Sequence, residues 1–186
     1  MSKVAGIEYP MHNPSSDVAR AFIDRASRFL STEYLPKIER CLEQLTDEQI
    51  WFRPNQASNS IGNLVLHLCG NARQWIVSGL GDNPDCRDRD SEFNQREVIP
   101  RVELLECLRA TVGEVGQVLA DLDSSVVLER RTIQGKDVDI LEAIFHVTEH
   151  FSMHTGQIIL LTKMLAHRNM KFYEFSSGVP VNRWNT

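Results

Sequence analysis

The sequence predicts an all-α protein built as a four-helix bundle. Three observations lead there. Four long segments repeat their apolar residues every three or four positions, the period of one helix face. No segment shows the sustained alternation of a half-buried strand. The 186 residues, 42% hydrophobic and 24% charged, suffice for one domain with a real core and have ordinary globular composition.

Residues 1–15 read as a leader, in which Pro10 and Pro14 break any helix and His12 is expected to be solvent-exposed. Residues 16–186 read as a single domain with a C-terminal tail. Ser15 or Ser16 can cap the first helix, which runs to roughly residue 45 on Val18, Ala21, Phe22, Ala26, Phe29 and Leu30. Pro36 should kink it or mark an irregularity. Leu45–Trp51 starts with a capping signal, and Pro54 ends that short piece.

The second helix covers about 59–79 and has a single charged residue, Arg73. Ile61, Leu64, Val65, Leu68, Ala72 and Trp75 form its apolar face. Asn63, His67, Asn71 and Gln74 flank that face, polar but neutral. A solvent-facing side usually carries Lys and Glu, so this strip suits a cleft wall that orients ligands. Cys69 points nearly opposite to His67. Residues 81–98 are dense in both signs of charge and predict a solvated connection with local ion pairs, long enough to cover one end of the bundle.

The third helix spans roughly 99–122, with Pro100 in its first turn and Val102, Leu105, Leu108, Val112, Val115, Val118 and Leu119 at helical spacing. In the connection 124–137, Gln134-Gly135 suits a small hairpin or turn. The fourth helix covers about 138–166. The tail carries Phe172, Tyr173, Phe175 and Trp184, expected to pack on the bundle or on a second subunit.

The fourth helix holds His146, His150 and His154, one every fourth residue. Such residues lie about one turn apart on one face, and two imidazoles so placed can reach one metal ion. Each four-residue step rotates the direction by roughly 40°, so three in a row do not converge easily. Ile140, Ala143, Val147, Phe151, Ile158, Leu161 and Leu165 define the apolar face. His154 falls about 30° from its centre, His150 about 70° and His146 about 110°. His150 and His154 therefore point inward and His146 sits toward the edge. A buried imidazole needs a partner for each ring nitrogen, and a metal on one with a hydrogen bond on the other meets that need. His67 is the candidate third ligand; the alternative is a hydrogen bond within the bundle, and the wheel does not separate the two.

Other chemistries are poorly served. Glu-x-x-His, CxxCH and His-Glu-x-x-His are all absent. Three neutral imidazoles with an open position would describe a catalytic-type zinc or nickel site. The net charge of −5, with no basic run, argues against nucleic acid. No apolar run has the length of a membrane span, and the N-terminus lacks a signal-peptide core. Cys41, Cys69, Cys86 and Cys107 are scattered, which suits a reducing cytoplasm.

Asn63-Leu64-Val65-Leu66-His67-Leu68-Cys69-Gly70-Asn71, followed by Trp75, resembles the second helix of the DinB/YfiT-like superfamily. Glu149-His150-Phe151-Ser152-Met153-His154-Thr155-Gly156-Gln157-Ile158 resembles its fourth-helix motif, His-x-x-x-His-x-Gly-Gln. Leu45–Gln49 and Arg87–Phe93 are similar to an uncharacterised subgroup. The resemblance runs from about residue 20 to 175. It implies a DinB-like four-helix bundle, commonly a homodimer, with a divalent metal ion on His67, His150 and His154. His146 matches no ligand position and would line the pocket or support the ligands, as would Asn63, Asn71 and Gln157. The resemblance also implies candidate activities on small-molecule substrates: a thiol-S-transferase using a low-molecular-weight thiol, or a related metal-dependent enzyme such as a hydrolase. The alternative is a non-catalytic interaction or stress-response bundle with a structural or vestigial metal.

Overall fold

The computed structural model describes residues 14–184. Most of the expected leader, with Pro10 and His12, lies outside the described residues. The first helix, α1 (Pro14–Arg28), passes through a π-helical stretch (Phe29–Tyr34) into α2 (Leu35–Leu42). The irregularity expected at Pro36 therefore sits immediately before it. Proline lacks the N–H that would continue the ladder and crowds the preceding turn.

Thr46 then caps α3 (Asp47–Trp51) reciprocally with Gln49. Ser60 and Asn63 make the same paired cap at the start of α4 (Ile61–Ala72), which ends in a second π-helical stretch (Arg73–Ser78). The charged connection is not only loop. Asp88 accepts from the Ser91 N–H and caps a short helix, α5 (Arg89–Asn94), packed on α4. The third long helix, α6 (Arg101–Asp121), follows Pro100, which occupies its N-cap.

The strands β1 (Arg130–Ile133) and β2 (Lys136–Asp139) pair antiparallel around Gln134-Gly135. Both turn residues have positive φ, 53° and 73°, the two-residue geometry that matches strand twist. Asp139 then caps α7 (Ile140–Ala166) by accepting from the Glu142 N–H. A second hairpin, β3 (Tyr173–Ser176) with β4 (Val179–Asn182), closes the described chain.

The architecture is the expected all-α bundle, made by α1–α2, α4, α6 and α7, with the two hairpins as minor additions. Each helix turns its apolar stripe inward. Ile23, Ile38, Leu68, Leu108, Ile140 and Phe151 are among the fully enclosed side chains. Each contributes roughly 1.5–3 kcal/mol through removal from water. The tail aromatics divide. Phe172 and Trp184 are buried, and Trp184 Nε1 donates to the Thr32 carbonyl, whereas Tyr173 and Phe175 are exposed. No helix of the described residues is long and apolar enough to cross a membrane.

Candidate metal centre

The packing of α4 against α7 brings His67, His150 and His154 together. One ring nitrogen from each lies within 4.8 Å of the others. His67 and His154 are only 6% and 8% exposed, and His150 is half-buried at the mouth. The His67 and His150 Nε2 atoms are 2.9 Å apart. The inward direction expected for His154 follows from its place among Val147, Phe151 and Ile158, all buried on the same face.

Two of the three rings are held from behind. Glu92 Oε2 lies 2.8 Å from His67 Nδ1. A carboxylate only accepts, so Nδ1 carries a proton, and Nε2 is the nitrogen that faces His150. Gln157 Oε1, one turn along α7, lies 2.7 Å from His154 Nδ1 and accepts a hydrogen bond from it in the same way. His154 Nε2 is then a buried acceptor with no hydrogen-bond partner among the described residues. Such an atom costs about 1–3 kcal/mol of desolvation unless something meets it.

The charge state suits a cation. Burial pushes the His150 imidazolium pKa down to about 3, reinforced by the neighbouring His154 and His67 rings. Burial also lowers His154, against the hydrogen bond to Gln157. Neutral imidazoles are the metal-binding form. The donor set, the orphaned nitrogen and the backed rings therefore fit a divalent ion.

Glu92 departs from the solvated character expected of residues 81–98. It is 7% exposed, and Arg87 bonds it twice, Nε to Oε1 at 2.7 Å and Nη2 to Oε2 at 2.9 Å. Burial pushes its carboxyl pKa up, but the hydrogen bonds from Arg87 and His67 outweigh that and hold it below the ordinary value. Arg87 also donates to Gln74 Oε1 at 2.8 Å. Phe93 packs on the His67 ring, centroids 4.5 Å apart. Gly70 makes this roof possible, since a Cβ there would collide with the Glu92 carboxylate. The sequence signals were a glycine inside a helix and a cap at Asp88, but neither names a partner 25 residues from His67.

The remaining candidates support rather than converge. Asn63 Nδ2 donates to the Glu92 carbonyl at 2.9 Å and the Gln95 carbonyl at 3.2 Å, tying α5 to α4. Asn71 Nδ2 lies 3.2 Å from His146 Nε2, and His146 packs on the Trp75 ring, centroids 4.0 Å apart. His146 thus stands at the edge of the cluster along the α4–α7 seam, stacked on the His150 ring with centroids 5.3 Å apart, while its Nε2 is turned to Asn71.

A family model described as a protein of unknown function, DUF1572, matches residues 17–179. The chain belongs to the DUF1572 family. Solved structures, one of them described as DinB-like, carry the same fold. A DinB-like protein from Bacillus cereus ATCC 10987 superposes with a TM-score of 0.58 at 16% identity, covering 72% of this chain and 86% of that one. A conserved protein from Enterococcus faecalis gives 0.60 at 15% identity, covering 84% of this chain and 100% of that one. At such identities the likeness establishes the fold. No curated protein matches this DUF1572 chain.

Proposed function

We propose that this DUF1572 protein is a metal-dependent enzyme acting on a small molecule, with zinc or nickel held by His67, His150 and His154. The observation that carries the reading is the buried His154 Nε2, left without a partner while the neighbouring Nδ1 is pinned by Gln157. The His67 ring is oriented for the same purpose by Glu92. The ion's chemistry in such a site is that of a Lewis acid, which lowers the pKa of a substrate group and polarises it. Transfer to or from a low-molecular-weight thiol fits that chemistry, as does hydrolysis. The chain's own residues then divide the work. Glu92 and Gln157 fix two ring orientations, Phe93 shields His67 from water, and half-buried His150 marks the side from which a substrate enters.

A second reading has one observation in its favour. A cleft of about 410 Å³ is lined by α4, α6 and the connection before α5, and none of the three histidines borders it. A non-catalytic bundle with a structural ion would look the same at the histidines. A homodimer accords with either reading. Leu141, Phe145, Met153, Leu160 and Met164 are exposed on the side of α7 facing away from the core, a surface suited to a second copy.

The test is metal content by elemental mass spectrometry on untagged protein, wild type against a His67→Ala/His154→Ala variant whose fold is checked by circular dichroism. About one zinc or nickel per chain, lost in the variant, supports the assignment. Full metal content in the variant, or none in the wild type after reconstitution, overturns it. Screening loaded protein with thiols and electrophiles then separates enzyme from structural site.

A further inference from the structure

The cleft on the other side of α4 has a chemistry of its own. Three of the four cysteines line it: Cys69 from α4, Cys107 from α6 and Cys86 from the connection. Cys69 is buried, Cys107 is half-buried and Cys86 is exposed. The packing of α4 on α6 brings the Cys69 and Cys107 side chains to the wall of one cleft, close enough for each to influence the other's ionisation. Arg73 Nη1 lies 3.5 Å from Cys107 Sγ, held there by a two-point ion pair with Glu114 at 2.7 and 3.0 Å. The guanidinium thus stands beside one sulfur of the pair, and the cleft opens onto the same sulfur.

We propose that Cys107 and Cys69 form a thiol–disulfide exchange site that takes a small disulfide from this cleft. The neighbouring Cys69, together with Arg73, holds the Cys107 thiol below its ordinary value, which favours the reactive thiolate. The thiolate attacks one sulfur of the small disulfide, forming a mixed disulfide and releasing one thiolate. Cys69 then attacks the Cys107 sulfur, its proton passing to the departing thiolate, and the second small thiol leaves. Two electrons have moved from the protein dithiol to the small disulfide, now two thiols. The order follows from burial. Both line the cleft, but Cys107 is half-buried whereas Cys69 is buried, placed to resolve rather than to initiate. No histidine takes part in the exchange, which is independent of any metal at His67, His150 and His154.

The experiment treats reduced full-length protein with oxidised glutathione, in a Cys86→Ser background that removes the exposed competing thiol. Intact-mass and peptide-mapping spectrometry then read the products. The expected result is a Cys69–Cys107 cross-link with no retained adduct. Cys69→Ser should stop the reaction with glutathione on Cys107, and Cys107→Ser should abolish it. Both are near-isosteric changes, and their melting temperatures check the fold. An unmodified Cys107 under conditions that modify Cys86 in the wild type overturns the proposal. So does a stable adduct on Cys107 while Cys69 remains a free thiol.

Discussion

The two sides of α4 use one helix for opposite kinds of polar chemistry. Toward α7 it presents His67, whose ring is backed by a buried carboxylate and faces two more imidazoles. Toward α6 it presents Cys69, beside a second thiol and a guanidinium that borders a cleft. The first side is enclosed and leaves one imidazole nitrogen without a partner among the described residues, and the second is open. Between them sits the Arg87–Glu92 pair, which roofs His67 and also lines the cleft. The difference teaches that a substantial cleft and the most highly organised polar cluster need not coincide. Enclosure makes an unpartnered nitrogen expensive, whereas an open cleft can satisfy its polar groups with water.

The strongest way to break this division is to remove the shared pair from one end. Glu92→Ala leaves the Arg87 guanidinium buried without its counter-charge, and stability should fall by about 3–5 kcal/mol in chemical denaturation. Metal affinity should fall by roughly 10–100-fold as His67 loses its backing. Arg87→Met added to Glu92→Ala should restore much of the stability but not the affinity. Recovery of both would show that Glu92 acts through folding alone. Next in size is Gly70→Ala, which forces the Glu92 carboxylate to move. About 1–3 kcal/mol of stability should be lost, and a melting temperature equal to wild type would mean that the roof shifts freely.

Gln157→Ala sharpens the comparison from the α7 side. It frees one ring rather than unpairing a charge, so metal affinity should drop by about tenfold, at the low end of such effects. Reaction of Cys107 with oxidised glutathione should not change. The smallest effect is expected from His146→Ala. Metal stoichiometry by elemental mass spectrometry should stay at the wild-type value, and a loss there would place His146 among the ligands.

Much of the bundle was legible because its signals are local. The caps at Thr46 and Ser60, the turn at Gln134-Gly135 and the apolar stripe of α7 all act over a few residues. The ranking of the three α7 histidines came from the same periodicity: His154 is buried, His150 half-buried, and His146 turned toward Trp75. The charged connection is solvated as expected over most of its length, and departs from that at two residues for a corresponding reason. Arg87 and Glu92 have the composition of solvated residues, and only the approach of α5 to α4 removes them from water. Cys69 was expected to face away from His67, which it does, but a helical wheel cannot supply Cys107 on another helix.

By itself, then, the sequence determined four amphipathic helices, their ends and the side of α7 on which two imidazoles point inward. Hydrogen-bonded caps and helical periodicity are short-range, and one chain segment contains all their terms. Tertiary structure alone decided that His67 completes the cluster, that Glu92 and Arg87 are buried behind it, and that two thiols meet on the far side. Those outcomes depend on which helices pack together. Packing sums apolar burial over the whole chain, and no local pattern encodes it.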